Sequence, residues 1–438
     1  MEKILNSPRL QGVVRAPSSK SEAHRALIVA ALKALYGESA SPVRIRCTDL
    51  SEDIEATARC LTALGATVIR EGFDFLVTPI TKIPAHPVLD CGESGSTLRF
   101  LLPVCCALGS LPAAPADFSA SLVGHGRLPQ RPLSPLYEEL VAHGAVLSPM
   151  GSNPLGARGK LSAGRYCLAG NVSSQFISGL LFALPLLGRD SEIEIYSLVE
   201  SVGYIRMTYE ILTRVVPEIM TAFPVYYKII GRNHRSMSAV SEQDLTVGGD
   251  WSSAAFFLTA GVLGQVGTSI TLTGLSTASH HGDKAVLSVL RDMGGDIREA
   301  ENGEITAYPS RLHGMEIDAS QIPDLVPVLA VAAAVAQGET RIVGASRLRI
   351  KESDRLATVT AMLTALGGDI TETADGLIIR GVPRLTGGVV DAAGDHRIAM
   401  SGAIASLVCE GAVTIAGAEC VAKSYPTFWE EFTRLCKE

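Results

Sequence analysis

Apolar positions along this 438-residue chain fall into two patterns: runs at helical spacing, and short stretches in which apolar and polar residues alternate. A polar or glycine-containing turn leads into an apolar helical run six times, starting at Pro17, Gly92, Gly170, Gly248, Ile322 and Gly394, about 70 to 80 residues apart. Alternating stretches after these runs predict strands at Val43 to Cys47, Asp117 to Val123, Glu192 to Leu198, Ser269 to Leu275, Thr340 to Val343 and Ala412 to Ala416. A second amphipathic helix follows, plainest in ATARCLTALGA, LYEELVAHGA, VLSVLRDMGGD and TVTAMLTALGGD. Gly65, Gly144, Gly294 and Gly367 stand where those helices end. Several copies close with a hairpin, as at Asn302-Gly303 and Asp375-Gly376.

The sequence therefore predicts an α/β (α+β) protein of six helix-strand-helix-hairpin units. A chain this long exceeds one ordinary core, so three units in each of two domains are expected. Residues 19–247 form one expected lobe; residues 1–18 and 248–438 form the other, with crossings near 18–20 and 248. The first strand is assigned to the second lobe because six units split three and three leave the chain starting mid-domain.

Composition narrows the class. Apolar residues make up 47% and charged residues 19% of the chain, as in a globular protein. The longest apolar run, Val326 to Ala336, is too short to span a bilayer, and the N-terminus lacks a signal-peptide pattern. Nine cysteines without a C-x-x-C pair read as buried reduced thiols, and a cytoplasmic location is expected. A net charge of −7 disfavours nucleic acid and anionic membranes as partners, yet leaves room for small anions held by a few focused cations. His280-His281 lacks any supporting ligand spacing, so a loop or cap role is expected there and no metal.

Candidate chemistry gathers at helix starts, where unpaired amides favour anions. Ser and Asp at such places are mostly caps, and Asp283 and Asp354 are read that way. Cations are harder to dismiss, because the helix dipole repels them there. Lys20, Arg25, Arg99, Arg131, Lys351, Arg355, Arg397 and Lys423 all lie at or within two turns of such starts, which points to shared anionic ligands.

In order along the chain, PSSKSEAHRAL, GESGSTLRFL, GRLPQRP, GNVSSQF, ESVGYIRMT, IPDLVPVLA, RIKESDRL, GDHRIAM and AKSYPTF resemble segments of the 5-enolpyruvylshikimate-3-phosphate synthase family of enolpyruvyl transferases. The resemblance runs from about Pro17 to the C-terminus. It implies a two-domain inside-out α/β barrel, and transfer of the enolpyruvyl group of phosphoenolpyruvate to the 5-hydroxyl of shikimate 3-phosphate, without metal or cofactor. The substrates are the implied partners, and a monomer is expected.

Carried onto matching positions, the resemblance implies that Lys20, Ser21, Arg25, Ser173, Ser174, Gln175, Ser201, Tyr204, Asp324 and Lys351 contact shikimate 3-phosphate. It assigns Lys20, Gly95, Arg131, Gln175, Arg355, Arg397 and Lys423 to phosphoenolpyruvate. The resemblance makes Asp324 the match for the family's proton acceptor and Glu352 for its donor, with Lys20 as a third catalytic residue. Three positions depart from the family pattern: Glu93 and Arg347 stand where Asn is usual, and Ser96 where Thr is usual. An enolpyruvyl transferase acting on UDP-N-acetylglucosamine is the nearest alternative. That enzyme would use a loop cysteine, and PADFSASLVGHG at 115–126 has none. A non-catalytic anion-binding repeat protein would leave Asp324 and Glu352 without a purpose.

Overall fold

The computed structural model describes residues 1–235 and 244–437. Twelve α-helices occur among them, two to each repeat unit. The first helices of the units are α1 (Lys20–Leu32), α3 (Gly95–Leu108), α5 (Ser174–Ala183), α7 (Trp251–Leu263), α9 (Val326–Ala334) and α11 (His396–Ala405). Most of their residues are buried, as the apolar runs that follow their first turns require. The second helices are α2 (Glu52–Ala63), α4 (Leu136–Ala142), α6 (Val202–Leu212), α8 (Val286–Asp292), α10 (Arg355–Ala365) and α12 (Phe428–Leu435). Gly65, Gly144, Gly294 and Gly367 have φ of +105°, +98°, +99° and +82° just past α2, α4, α8 and α10, the left-handed region that glycine enters most cheaply.

The repeat has one more part than its sequence pattern suggests. A short strand precedes the first helix of each unit, giving β-α-β-α-β-β. In the second unit, residues 88–90 pair in parallel with 119–123, which pair antiparallel with 155–159, and 145–147 complete the sheet. The third and fifth units repeat this order with 165–168, 191–195, 226–229 and 219–222, and with 316–318, 339–343, 377–380 and 369–372. The sixth unit differs: its strands 388–391 and 413–416 are completed by the N-terminal strand 2–5 in place of a hairpin.

At the remaining two units the leading strands are exchanged. Strand 12–15 precedes α1 in sequence but pairs in parallel with 270–273, Ile270 opposite Gly12 and Leu272 opposite Val14. Strand 245–246 precedes α7 but pairs in parallel with 45–46, next to α1. Each exchange carries the chain from one compact unit to the other. Residues 1–19 with 248–438 form one unit and residues 20–247 form the other. Each contains three of the larger sheets and its own apolar core, and the first also holds the two-stranded pair of 9–10 with 436–437.

Candidate functional site

In the unit of residues 20–247, the starts of α1, α3, α5 and α6 carry the polar residues. Lys20 is the first residue of α1, and its Nζ lies 2.9 Å from Asp53 Oδ2 at the start of α2. Ser21 follows, and its carbonyl accepts from Arg25 Nη1 at 2.6 Å. Arg25 is buried, donates from Nε to Thr208 Oγ1 at 2.7 Å and from Nη2 to the Tyr204 carbonyl at 2.9 Å, and sits over the Phe100 ring. Burial lowers its pKa to about 10, so the guanidinium remains charged at neutral pH. Thr208 in turn donates to Ser178, tying α6 to α5.

Gly95, the first residue of α3, leaves room for a guanidinium. A Cβ at Gly95 would lie 2.7 Å from Nη1 of Arg131, whose guanidinium rests on the helix start. Gln175 joins α5 to α3 by accepting from Arg99 Nη1 and donating to Ser96 Oγ, both at 2.8 Å. Ser173 caps α5 through its hydroxyl, and buried Ser174 begins the helix. Ser201 holds φ +55°, a left-handed conformation that costs a non-glycine residue about 1–3 kcal/mol and that recurs at ligand-binding positions. Tyr204, three residues on, is half-buried. Glu93 is exposed, but its carboxylate packs on Gly126, where a Cβ would come within 2.4 Å of Oε1.

In the other unit, a single arginine organises the cluster. Arg355, 1% exposed, donates from Nη1 to Asp324 Oδ1 at 2.6 Å, from Nη2 to Glu352 Oε2 at 2.8 Å and from Nε to Asp395 Oδ2 at 2.8 Å. Burial opposes its charge, but Asp395, Glu352 and Asp324 together raise its pKa above the ordinary arginine value. Asp395 also caps α11 by accepting from the Arg397 amide and receives the Ser353 hydroxyl. Lys351 Nζ and Arg397 Nη2 lie 3.5 Å and 3.4 Å from the two oxygens of Asp324, and Arg397 Nη1 donates to the Asp324 carbonyl. Burial would push Asp324 up, yet Arg397, Lys351 and Arg355 outweigh it and hold the carboxyl well below the usual range. Burial lowers Lys351 to about 8 despite Asp324. Arg347, also buried, donates to the Ser320 carbonyl at 2.7 Å. Lys423 is buried at the end of the 3-10 segment 418–423.

Of the two cap readings, one holds and one changes. Asp354 caps α10 by accepting from the Ala357 amide. Asp283 does not cap: His281 Nδ1 accepts the Asp283 amide, while the fully buried Asp283 carboxyl receives the Ser252 hydroxyl. Burial raises the Asp283 pKa, since a solvent-free carboxyl is easier to bury neutral. Asp324 makes no side-chain cap bond either; its carboxylate is spent on the three cations. Asp53 and Thr208 were absent from the sequence expectations. A helix-start acid and a threonine carry no individual signal until the fold sets them against Lys20 and Arg25.

Among the described residues, no cluster of His, Cys, Asp or Glu could hold a metal ion, and no helix is long and apolar enough to cross a membrane.

Residues 5–432 match the EPSP synthase (3-phosphoshikimate 1-carboxyvinyltransferase) family. The chain is 41% identical over 433 residues to the 3-phosphoshikimate 1-carboxyvinyltransferase of Clostridium kluyveri, covering 98% of this chain and 96% of that one. It is 42% identical over 439 residues to the protein of the same name in Clostridium perfringens, covering 99% and 98%. The solved structure of EPSP synthase from Acinetobacter baumannii superposes with a TM-score of 0.77 at 25% identity, covering 99% of this chain and 98% of that one. The enolpyruvyl transferase NikO from Streptomyces tendae shares the fold, with a TM-score of 0.74 at 19% identity, covering 99% of this chain and 97% of that one. This chain belongs to the EPSP synthase (3-phosphoshikimate 1-carboxyvinyltransferase) family.

Proposed function

We propose that the chain transfers the enolpyruvyl group of phosphoenolpyruvate to the 5-hydroxyl of shikimate 3-phosphate, releasing phosphate, in aromatic amino-acid biosynthesis. The observation that carries this reading is the convergence of Arg355, Arg397 and Lys351 on Asp324, with Glu352 on the same arginine. Phosphoenolpyruvate brings a carboxylate and a phosphate, and cations are what neutralise them; arginine adds bidentate geometry. We assign this ligand to Lys20, Gly95, Arg131, Gln175, Arg355, Arg397 and Lys423. Shikimate 3-phosphate is assigned to Lys20, Ser21, Arg25, Ser173, Ser174, Gln175, Ser201, Tyr204, Asp324 and Lys351. No cofactor enters the reaction.

Addition forms a bond from the 5-oxygen to the central carbon of phosphoenolpyruvate while the methylene carbon gains a proton. Asp324 takes the hydroxyl proton and Glu352 supplies the carbon-bound one. Loss of phosphate and of a methyl proton then restores the double bond in the product. A carboxyl held as low as Asp324 is a weak base. Substrate anions drawing on Arg355, Arg397 and Lys351 weaken the positive field at Asp324 and raise its basicity when it is needed.

Each compact unit is read as an inside-out α/β barrel of three repeats, and the protein as a cytoplasmic monomer. Phosphorus NMR of a mixture of protein and both substrates tests the reaction: the phosphoenolpyruvate resonance should give way to inorganic phosphate while the shikimate phosphate persists. An unchanged spectrum would refute the reading.

A further inference from the structure

Four polar side chains in the unit of residues 20–247 form a chain that the proposed chemistry does not use. His24 Nδ1 lies 2.6 Å from Thr57 Oγ1, Thr57 Oγ1 lies 2.6 Å from Thr97 Oγ1, and Thr97 donates to Ser94 Oγ at 2.8 Å. All four residues are fully buried. Ser94 also caps α3 by accepting the Thr97 amide.

A hydroxyl has one proton to give. Thr97 gives its proton to Ser94, so Thr57 must donate to Thr97, and His24 Nδ1 must donate to Thr57. That leaves Nε2 of His24 unprotonated, and Nε2 has no hydrogen-bond partner among the described residues. An orphaned ring acceptor is the tolerable arrangement, because a buried N–H without an acceptor is the rarer and costlier case. Burial lowers the His24 pKa to about 3, and Lys20 and Arg25 add to this against the opposing pull of Asp53, so the ring stays neutral.

We propose that His24, Thr57, Thr97 and Ser94 are a one-way hydrogen-bond relay that positions the first turn of α3 for phosphoenolpyruvate. The chain links three helix starts, each bearing a group of the site. His24 lies one turn after Lys20 in α1, and Thr57 one turn after Asp53 in α2. Ser94 precedes Gly95, against which Arg131 rests, and Ser96, which Gln175 holds. Valine and leucine would fill the same space without burying polar atoms. What the relay adds is direction: it fixes the orientation of α3 at the end where Gly95 leaves room for a guanidinium.

The inference rests on the proposed function, and the test separates the two. Thr97→Val keeps the shape and breaks the relay; Thr97→Ser keeps the hydroxyl. In steady-state kinetics, Thr97→Val should raise the KM for phosphoenolpyruvate about 5- to 10-fold, the scale of one lost hydrogen bond. The KM for shikimate 3-phosphate should stay within about 2-fold, and Thr97→Ser should restore both. Nitrogen NMR of histidine-labelled wild-type protein should show His24 as the neutral Nδ1–H tautomer, a readout independent of turnover and of any variant's folding. An Nε2–H tautomer would overturn the relay. So would an unchanged phosphoenolpyruvate KM, or an equal rise for both substrates, in an active Thr97→Val enzyme. Absence of turnover in the wild type would refute the proposed function and leave the tautomer to decide the relay.

Discussion

Nη1 of Arg355 lies 2.6 Å from Oδ1 of Asp324, with the arginine 1% exposed. The same guanidinium binds Glu352 and Asp395, so one residue orients the proposed base, the proposed acid and the cap of α11. Arg355→Ala would take this cation from all three buried or half-buried carboxylates, leaving Asp324 with Lys351 and Arg397. A loss of about 3–5 kcal/mol of stability is expected from breaking such a pair. Phosphoenolpyruvate binding should weaken by about 1.5–3 kcal/mol, the scale of a charged hydrogen bond. Shikimate 3-phosphate binding should change little. Denaturant unfolding and calorimetry on the same variant check this, and equal losses for both ligands would count against the assignment.

Asp324→Asn separates base from ion-pair partner. Removing a general base typically costs about 10²–10⁴-fold in rate, so turnover should fall by that much. Stability should fall too, because Arg355, Lys351 and Arg397 lose the charge they face. The Asp324 pKa is depressed in the fold, so its stabilisation is present above the unfolded value of about 4. It is lost as pH falls through the lower folded value, so wild type and variant should converge in unfolding free energy only in strong acid. Turnover within a few-fold of wild type would move the base elsewhere.

Field weakening by bound substrate has a kinetic signature. The acid limb of kcat/KM reports the free enzyme and that of kcat the complex. If substrate anions relieve the cationic field at Asp324, the acid limb of kcat should lie at higher pH than that of kcat/KM. Coincident limbs would argue that the base is tuned by the protein alone.

Lys351, lowered to about 8 by burial, should make shikimate 3-phosphate binding pH-dependent. Binding a dianion favours the protonated amine, so affinity should decline above pH 8 and binding there should take up protons. Calorimetry in buffers of different ionisation enthalpy reads both effects. A flat affinity between pH 7 and 9 would remove Lys351 from the shikimate 3-phosphate contacts.

Gly95→Ala tests the arginine seated on α3. The added Cβ would lie 2.7 Å from Arg131 Nη1, so the guanidinium must move. The KM for phosphoenolpyruvate should rise about tenfold, about 1.4 kcal/mol of a charged hydrogen bond, while shikimate 3-phosphate binding, assigned mainly to α1, α5 and α6, is little affected. An unchanged phosphoenolpyruvate KM would place Arg131 outside the site.

Much of the fold was legible because the first helices carry long apolar runs and four of the six second helices, α2, α4, α8 and α10, stop at a glycine. The leading strand of each unit was not. Segments such as 88–90 and 245–246 are two or three residues long, too short to show alternation, and they exist through parallel pairing with distant partners. The exchange of 12–15 and 245–246 between units is invisible locally for the same reason. At the site, cations at helix starts stood out because the dipole disfavours them. Asp283 was misread since a capping and a buried helix-start aspartate look alike in sequence; only burial and the Ser252 contact separate them. The hydroxyl relay was hidden because threonine in an apolar helix reads as filler.

The account is tested most directly by phosphate release measured with each substrate alone and with both. It predicts release only when phosphoenolpyruvate and shikimate 3-phosphate are present together, in equal amounts with the enol ether product, and abolished by Asp324→Asn. Release from phosphoenolpyruvate alone, or with UDP-N-acetylglucosamine in place of shikimate 3-phosphate, would contradict it.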